Sequence, residues 1–382
     1  METGYVVRPV ESSADLTKFI AFPYDLYKDA EHWVPPLRVD QAAILNPKKS
    51  AFLEHGRIQP FVATDATGVV VGRIAGIVNG MHLKKYQDGT GFFGFFECIE
   101  DYQVARALFE TVAEWLRGEG LKAARGPANP SLNHVSGLLV DGFDRPPAIL
   151  MPYNFAYYAE FLERFGFERI MTMWAYYIHF KYRKLDRMRK GVDLIKKRNP
   201  DLELRTIDMD RFDEEAQMIL DIYNDAWSDN WGHVPMTQGE FAELVKEMKM
   251  IVDPRTIFVL EKAGEPVAFS IMLPDVNPWF GEVRDGKLFP LGLLRILKHK
   301  MLTPIREGRV VMMGVLQEYQ GRGFDAILNL ASLEIPVPYG YNAAEMSWIL
   351  DTNKPMMNAA EAIGGVRDKE YAMYELALDS LK

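Results

Sequence analysis

The sequence predicts an α/β (mixed-sheet α+β) protein made of two copies of one domain. Each copy is expected to be a mixed, mostly antiparallel sheet flanked by helices. The chain has 382 residues, which is more than one ordinary core accommodates. Similar segments recur at a nearly constant offset, and in each copy strand patterns come first and then alternate with helix patterns. That order is typical of a mixed sheet with helices on both faces.

The repeat consists of paired segments about 198 residues apart in the sequence. YVVRPV resembles LELRTI, with Arg8 and Arg205 in equivalent places, and PYDLYKDAEHWVPP resembles IYNDAWSDNWGHVP. One such pair could arise by chance, but a series at one offset predicts domains at 1–182 and 199–382. Residues 183–198 form a basic linker between them. Its charge fits either an anion site or a solvated helix, and the helix is favoured.

The predicted elements follow one order in both copies. A short strand leads into amphipathic helices and then a hairpin, which turns at DATG in the first copy and at KAGEP in the second. A buried strand follows (GFFGFFECI, RVVMMGVL), then a helix, another strand (LKAARGP, AAEMSWIL), a helix and a closing strand (RIMTMWAYYIHF, EYAMYELAL). The copies differ by insertions at 128–153 and 278–304, where loops are free to grow.

Composition excludes several classes of protein. The formal net charge of −9 argues against a nucleic-acid partner, because phosphate binding needs a positive field. Cys98 is the single cysteine, so no intramolecular disulfide is expected and a reducing compartment is favoured. The start of the chain has no signal-peptide pattern, and no stretch approaches the ~20 apolar residues of a membrane span. We therefore expect a cytoplasmic protein; its oligomeric state is not indicated.

The second copy carries a glycine-rich turn, QGRGFDA, between a buried strand and a helix. A helix N-terminus supplies converging N–H donors and a favourable dipole for pyrophosphate. Gly321 and Gly323 would leave space where side chains obstruct phosphate, and Arg322 could add charge-assisted hydrogen bonds. The alternative is a simple strand-to-helix connection with a solvated arginine. The strand before and the helix after favour the phosphate site.

This stretch resembles the acyl-CoA-binding signature of the GNAT superfamily of N-acyltransferases. The family pattern Gln/Arg-x-x-Gly-x-Gly/Ala is matched from Gln320 to Phe324, and Asp325 departs at its last position. WILDTNKPMMNAAEAIGGVRDKEYAMYEL resembles the family's next strand, its helix headed by an asparagine, here Asn353, and its closing strand. The whole second copy matches in element order and the first more faintly, so the chain resembles a tandem GNAT protein.

The resemblance implies acetyl-CoA or a longer acyl-CoA as cofactor. It also implies an amine-bearing small molecule or peptide as acceptor. The strand end at Val315 and Leu316 is then expected to offer backbone groups to the pantetheine amides. Asp325 leaves two arrangements open, since its carboxylate could occupy the N–H groups of the turn or point outward and cap the helix.

The first copy lacks the signature and is expected to have no cofactor site. Its turn contains no glycine and carries Glu100 and Asp101, which would face any phosphate. The first copy is expected to form the acceptor side of a cleft. Its insertion, with Asn129, Asn133 and His134, could line that cleft, but polar loop residues are at least as often turn formers.

Acyl transfer from a thioester to an amine needs a base and often an acid. The family frequently uses a tyrosine acid at the position that is Ala359 here. Glu345 is the first candidate base and His233 the second. Tyr371 is a candidate acid on the closing strand, as is Tyr374, although all of these residues also fit structural roles.

Two other classes of function stay open. The chain could be a catalytically silent acyl-CoA or acyl-carrier binding module, which Ala359 and Asp325 favour. It could also be a structural protein that retains the fold. The seven histidines show no metal-ligand spacing, so no metal site is expected.

Overall fold

The computed structural model describes residues 4–381, which form two compact units. Within this range the first unit takes in the chain through Thr172, the segment Asn277–Thr303 and the chain from Lys369 onward. The second unit consists of Met173–Val276 and Pro304–Asp368. Both units therefore draw on both halves of the sequence.

The described chain alternates short helices and strands throughout. Up to the linker the elements are β1 Val6–Pro9, α1 Ser13–Leu26, α2 Arg38–Ile44, β2 Gly56–Thr64, β3 Val70–Asn79, α3 Gly80–Tyr86, β4 Thr90–Cys98, α4 Tyr102–Gly118, β5 Ala123–Gly126, β6 Ala128–Asn129, β7 Val135–Ser136, β8 Leu138–Asp141, α5 Tyr157–Phe165 and β9 Glu168–His179. From the linker onward they are α6 Asp186–Arg198, β10 Leu202–Thr206, α7 Phe212–Ala226, α8 Gln238–Met248, β11 Ile257–Lys262, β12 Glu265–Pro274, α9 Asn277–Phe280, α10 Leu293–Leu302, β13 Glu307–Val315, α11 Phe324–Glu334, β14 Ala343–Leu350, α12 Lys354–Ala362 and β15 Val366–Ala377.

Each unit contains a mixed, mostly antiparallel sheet, as the sequence predicts. In the first unit β1, β2, β3 and β4 pair antiparallel in that order, β4 pairs parallel with β5, and β5 pairs antiparallel with β15. In the second unit β10, β11, β12 and β13 pair antiparallel, β13 pairs parallel with β14, and β14 pairs antiparallel with β9. The same topology thus occurs twice, which fits the repeat in the sequence.

Amphipathic helices supply the apolar cores on these sheets. In the first unit α4 buries Val104, Leu108 and Val112, whose spacing of four residues places them on one helix face. In the second unit α11 buries Ile327 and Leu328 in a cluster with residues of β11 and β12. Most of the linker forms helix α6, which contributes Val192 to this core.

The closing strands are exchanged between the two predicted domains. From Met173 onward β9 belongs to the second unit, where Tyr177 pairs with Glu345. From Lys369 onward β15 belongs to the first unit, where Glu375 pairs with Arg125. Both strands have twelve residues and fit the same place in the topology, so the sequence pattern does not specify which sheet each one joins.

The insertion at 278–304 also lies largely in the first unit, although the sequence places it in the second copy. The Arg38 backbone N–H donates to the Gly286 carbonyl over 2.9 Å, and an Arg284 guanidinium nitrogen donates to the Trp33 carbonyl over 3.0 Å. The limits 1–182, 183–198 and 199–382 describe the repeat and stay a prediction as domain boundaries.

We predict that the two halves of the chain, 1–198 and 199–382, fold together and not separately. The first half lacks β15, which supplies Ala372, Tyr374 and Leu376 to the core of the first unit. The second half lacks β9, which supplies Tyr176 and Ile178 to the core of the second. When the halves are co-expressed with a tag on one, both should be recovered as a complex with a cooperative thermal transition. Two halves that each unfold cooperatively alone, and do not bind each other, would contradict the exchange.

Candidate functional site

Strands β13 and β14 pair over only part of their length, and each strand then continues without the other. Their parallel pairing runs from Glu307 opposite Ala343 to Val310 opposite Met346. Beyond it, β13 continues to Val315 paired only with β12, and the β12–β13 register shifts where Val311 is the extra residue. Such a β-bulge bends a strand, and bulges are common beside functional sites. The outer half of β13 therefore lies where no β14 backbone pairs with it.

Several backbone groups at the end of β13 have partners within the second unit. The Trp227 indole donates to the Met313 carbonyl over 2.9 Å, and the Gln320 side-chain amide donates to the Val315 carbonyl over 3.1 Å. The Leu316 N–H donates to the Val267 carbonyl over 3.0 Å. These bonds fix the strand end in place, so pantetheine could reach the Val315 carbonyl only by sharing or displacing the Gln320 amide.

The glycine-rich turn after β13 is left-handed at both glycines. Gly321 has φ +73° and Gly323 has φ +81°. A Cβ on Gly321 would meet nothing within 4 Å, whereas a Cβ on Gly323 would lie 2.6 Å from the Ile195 Cδ1 of α6. In the described part of the chain, the five N–H groups from Gly321 to Asp325 donate no hydrogen bond. Successive unpaired N–H groups at a helix start form a concave anion-binding surface.

Among the described residues, the side chains of the turn accept no hydrogen bond from these N–H groups. Arg322 is exposed, donates to the Glu318 carbonyl over 3.0 Å and lies 5.0 Å from the centroid of the Tyr319 ring. Phe324 is buried and stacks on the same ring. Asp325 is exposed and accepts none of the hydrogen bonds among residues 4–381. Its carboxylate thus neither occupies the turn nor caps α11.

In the first unit, N–H groups on the equivalent strand and at the equivalent helix start already donate hydrogen bonds to side chains of the same unit. The Asp101 carboxylate accepts the Gln103 N–H over 2.8 Å and so caps α4. The Cys98 N–H at the end of β4 donates to the Tyr158 hydroxyl over 2.9 Å. The Phe95 N–H donates to the Asn129 side chain over 2.6 Å. These bonds give a physical reason for expecting no cofactor there, and they place Asn129 in a structural role.

Glu345, the first candidate base, lies in a buried polar row across three strands of the second unit. In register it is opposite Arg309 on β13 and Tyr177 on β9, and paired residues share a face of the sheet. Glu345 and Arg309 are 6% and 5% exposed. The Ser347 hydroxyl donates to Glu345 Oε1 over 2.6 Å and accepts from Arg309 Nε over 2.8 Å. Ser347 thus links the carboxylate to the guanidinium.

Neighbours in this row extend the polar cluster, and sequence reasoning missed them. The Tyr177 hydroxyl donates to Glu307 Oε1 over 3.1 Å, and Glu307 is two residues before Arg309 on β13. The cluster lies where β13 and β14 cease to pair. The sequence contains one pattern that indicates this cluster. Polar residues occupy alternate positions of otherwise apolar strands, which is unusual for a buried sheet.

The other candidates from the sequence lie on separate elements. His233 is buried in the loop between α7 and α8, with its ring edge-on to Tyr223 at a centroid distance of 5.3 Å. Tyr371 is fully buried on β15 of the first unit, opposite Leu139. Asn353 caps α12, where its side-chain oxygen accepts the N–H of the third helical residue over 3.2 Å.

Tyr374, the second tyrosine on the closing strand, is also part of the first unit. Its hydroxyl donates to Glu163 over 3.0 Å, and burial raises its pKa to about 12. Between residues 4 and 381 no cluster of three or more His, Cys, Asp or Glu is arranged to hold a metal ion, and no helix is long and apolar enough to cross a bilayer.

Comparison with known proteins identifies relatives along the whole chain. Protein YghO of Escherichia coli K12 is 35% identical over 375 residues, covering 97% of this chain and 95% of its own. The bacterial ceramide synthase of Caulobacter vibrioides is 34% identical over 382 residues, covering 97% of each. No family model matches the sequence.

Solved structures resemble the chain at the level of the fold. A tandem GNAT protein from the clavulanic acid biosynthesis pathway, solved without acetyl-CoA, superposes with a TM-score of 0.56 at 13% identity and 98% coverage of both chains. A GCN5-related N-acetyltransferase from Sphaerobacter thermophilus gives 0.53 at 10% identity, covering 99% of this chain and 97% of its own. The chain thus has a tandem GNAT fold, and it belongs to the family that includes YghO and the bacterial ceramide synthase.

Proposed function

We propose that the chain is an acyl-CoA-dependent N-acyltransferase whose cofactor site lies in the second unit. The observation that carries the proposal is the run of five unused N–H groups from Gly321 to Asp325 at the start of α11. Pyrophosphate is the part of CoA that such a helix start recognises best. The first unit offers no such run, because Asp101 caps its equivalent helix.

Positive side chains next to the turn support a polyanionic ligand. Arg322 can turn from the Glu318 carbonyl to a phosphate, since its contacts are exposed. Helix α6 contacts the turn through Ile195, and the next three residues are the exposed Lys196, Lys197 and Arg198. In a chain of net charge −9 this local group of cations would attract the phosphates of CoA.

Glu345 is proposed as the base that deprotonates the acceptor amine. The amine nitrogen attacks the thioester carbonyl, the C–N bond forms and the C–S bond breaks. The amine's proton passes to the carboxylate and CoA leaves as the thiol after protonation. Ser347 and Arg309 would hold the carboxylate in one orientation through the hydrogen bonds already described. Tyr177, in the same row, is the candidate acid that geometry suggests. Tyr371, the candidate acid from the sequence, lies in the first unit.

A long-chain amine is the acceptor that we propose. One relative, 34% identical over nearly the whole chain, is named a ceramide synthase, and ceramide formation joins an acyl group to the amino group of a long-chain base. The acceptor expected from the sequence, an amine-bearing small molecule or peptide, narrows to a lipid on this argument. Ala359 instead favours the alternative of a silent acyl-CoA or acyl-carrier binding module, because the family's usual tyrosine is absent there.

The turn is tested by Gly321→Val and Arg322→Ala. A valine at Gly321 would place a branched side chain in the open space that the phosphates need. Loss of the arginine removes a charge-assisted contact worth about 1.5–3 kcal/mol, or roughly 10- to 150-fold in affinity. Calorimetric titration with CoA should show weaker binding for both variants.

Gly264→Val is the matched control for the turn variants. Gly264 lies in the β11–β12 hairpin of the same unit, with φ +85° and no atom within 4 Å of an added Cβ. It therefore carries the same backbone strain without touching the turn. Equal CoA affinity of all three variants and the wild type would mean that the turn only joins a strand to a helix. Gly323→Val is unsuitable, because it would clash with Ile195.

Catalysis is tested by Glu345→Gln, which keeps the shape of the side chain but removes the base. With an acyl-CoA and a long-chain base such as sphinganine, the wild type should release free thiol and form an amide. The variant should lose roughly 10²- to 10⁴-fold in kcat while it still binds CoA. Release of thiol is measured against a constant background, because Cys98 is buried.

Glu334→Gln, at an exposed ion pair with Arg189, is the control and should leave kcat unchanged. A Glu345→Gln variant with wild-type kcat would reject Glu345 as the base. CoA binding without thiol release for any amine would favour the binding module. Turnover of short amines alone would retain the N-acyltransferase and reject the lipid acceptor.

A further inference from the structure

An apolar surface lies on the inserted segment of the first unit, outside the site described above. We name as the α10 surface the exposed large apolar side chains Phe289, Leu291, Leu294, Leu297, Met301 and Leu302, which are 47–86% exposed. They are six of the sixteen exposed large apolar side chains among residues 4–381, gathered within fourteen residues. Scattered exposed leucines are ordinary, whereas a contiguous group marks an interaction surface.

The other side of α10 is held in place. His299 lies 3.3 Å from the Glu282 carboxylate, and the Trp279 indole donates to the Thr303 carbonyl at the end of the helix over 3.0 Å. Leu294, Leu297 and Met301 are spaced three and four residues apart, which places them together on the opposite face. The helix is therefore anchored with its apolar face outward.

The α10 surface is also locally basic. Between Lys287 and Thr303 the chain contains Lys287, Arg295, Lys298 and Lys300 and no acidic residue, although the whole chain carries a net charge of −9. Arg295 and Lys298 are exposed and form no ion pair within the described chain. A helix with leucines on its outer face and basic side chains among them is the pattern of helices that lie in a membrane interface.

We propose that the α10 surface binds the interface of an anionic phospholipid bilayer. Leu294, Leu297 and Met301 would enter the boundary between headgroups and acyl chains, while Arg295 and Lys298 pair with lipid phosphates. A bilayer fits this surface better than an acidic protein does. The face is a single convex helix with long, flexible side chains, and a bilayer requires no complementary groove. This interaction goes beyond the proposed acyl transfer and does not depend on it.

Sedimentation of the full-length protein with vesicles tests the proposal. The wild type should sediment with vesicles of equal parts phosphatidylcholine and phosphatidylglycerol and much less with phosphatidylcholine alone. Added salt should weaken the binding, because it screens the basic side chains. The double variant Leu294→Gln/Met301→Gln should bind roughly 10- to 100-fold more weakly. Arg295→Gln/Lys298→Gln should bind roughly 30-fold more weakly, at about 1 kcal/mol per basic residue.

The control is Val69→Gln/Met250→Gln, which changes two equally exposed apolar residues elsewhere and should bind as the wild type does. The proposal is overturned if the wild type binds neither kind of vesicle or binds both equally, or if the α10 variants bind as the control does. A dimer that the α10 variants dissociate, without vesicle binding by the wild type, would overturn it in favour of a second copy. All variants should retain CoA binding, so failure here is distinguishable from failure of the proposed acyltransferase site.

Discussion

Backbone N–H groups at the start of a helix need a partner, and the two units meet this requirement differently. In the first unit Asp101 caps α4, and the Phe95 N–H on the preceding strand bonds to Asn129. In the second unit the turn from Gly321 leaves five N–H groups without a partner among the described residues. Because the two units share one topology, this difference separates a helix start that is satisfied from one that can accept an anion.

The strand pairing places the proposed base beside β13, the strand that precedes that helix start in the chain. The polar row of Arg309, Glu345 and Tyr177 crosses the sheet next to the point where β13 and β14 cease to pair, and β13 then leads through the short segment 316–320 to the turn. A carboxylate that is buried and held by Ser347 suits proton transfer better than a solvated one, because its orientation is fixed. A long-chain amine, the acceptor proposed from the ceramide synthase relative, resides in membranes. A surface that binds a bilayer would therefore bring the protein to its acceptor.

The sequence predicts local features well because they depend on short spans. The GNAT topology, the hairpins and the turn at QGRGFD follow from strand alternation, from glycine and from element order. The exchange of β9 and β15 does not, because strand partners are chosen by contacts far apart in the chain. The packing of Ile195 against Gly323 and the Arg309–Ser347–Glu345 bonds are likewise unseen in sequence. They join residues on different elements, and no local spacing specifies them.

We expect one of the two units, and not both, to bind CoA. Calorimetric titration of CoA into the full-length chain measures this directly, because the stoichiometry counts the sites without any substitution. One CoA should bind per chain. Two CoA per chain would show that the Asp101 cap does not exclude the cofactor from the first unit. No binding would show that the unpaired N–H groups from Gly321 to Asp325 are not a cofactor site.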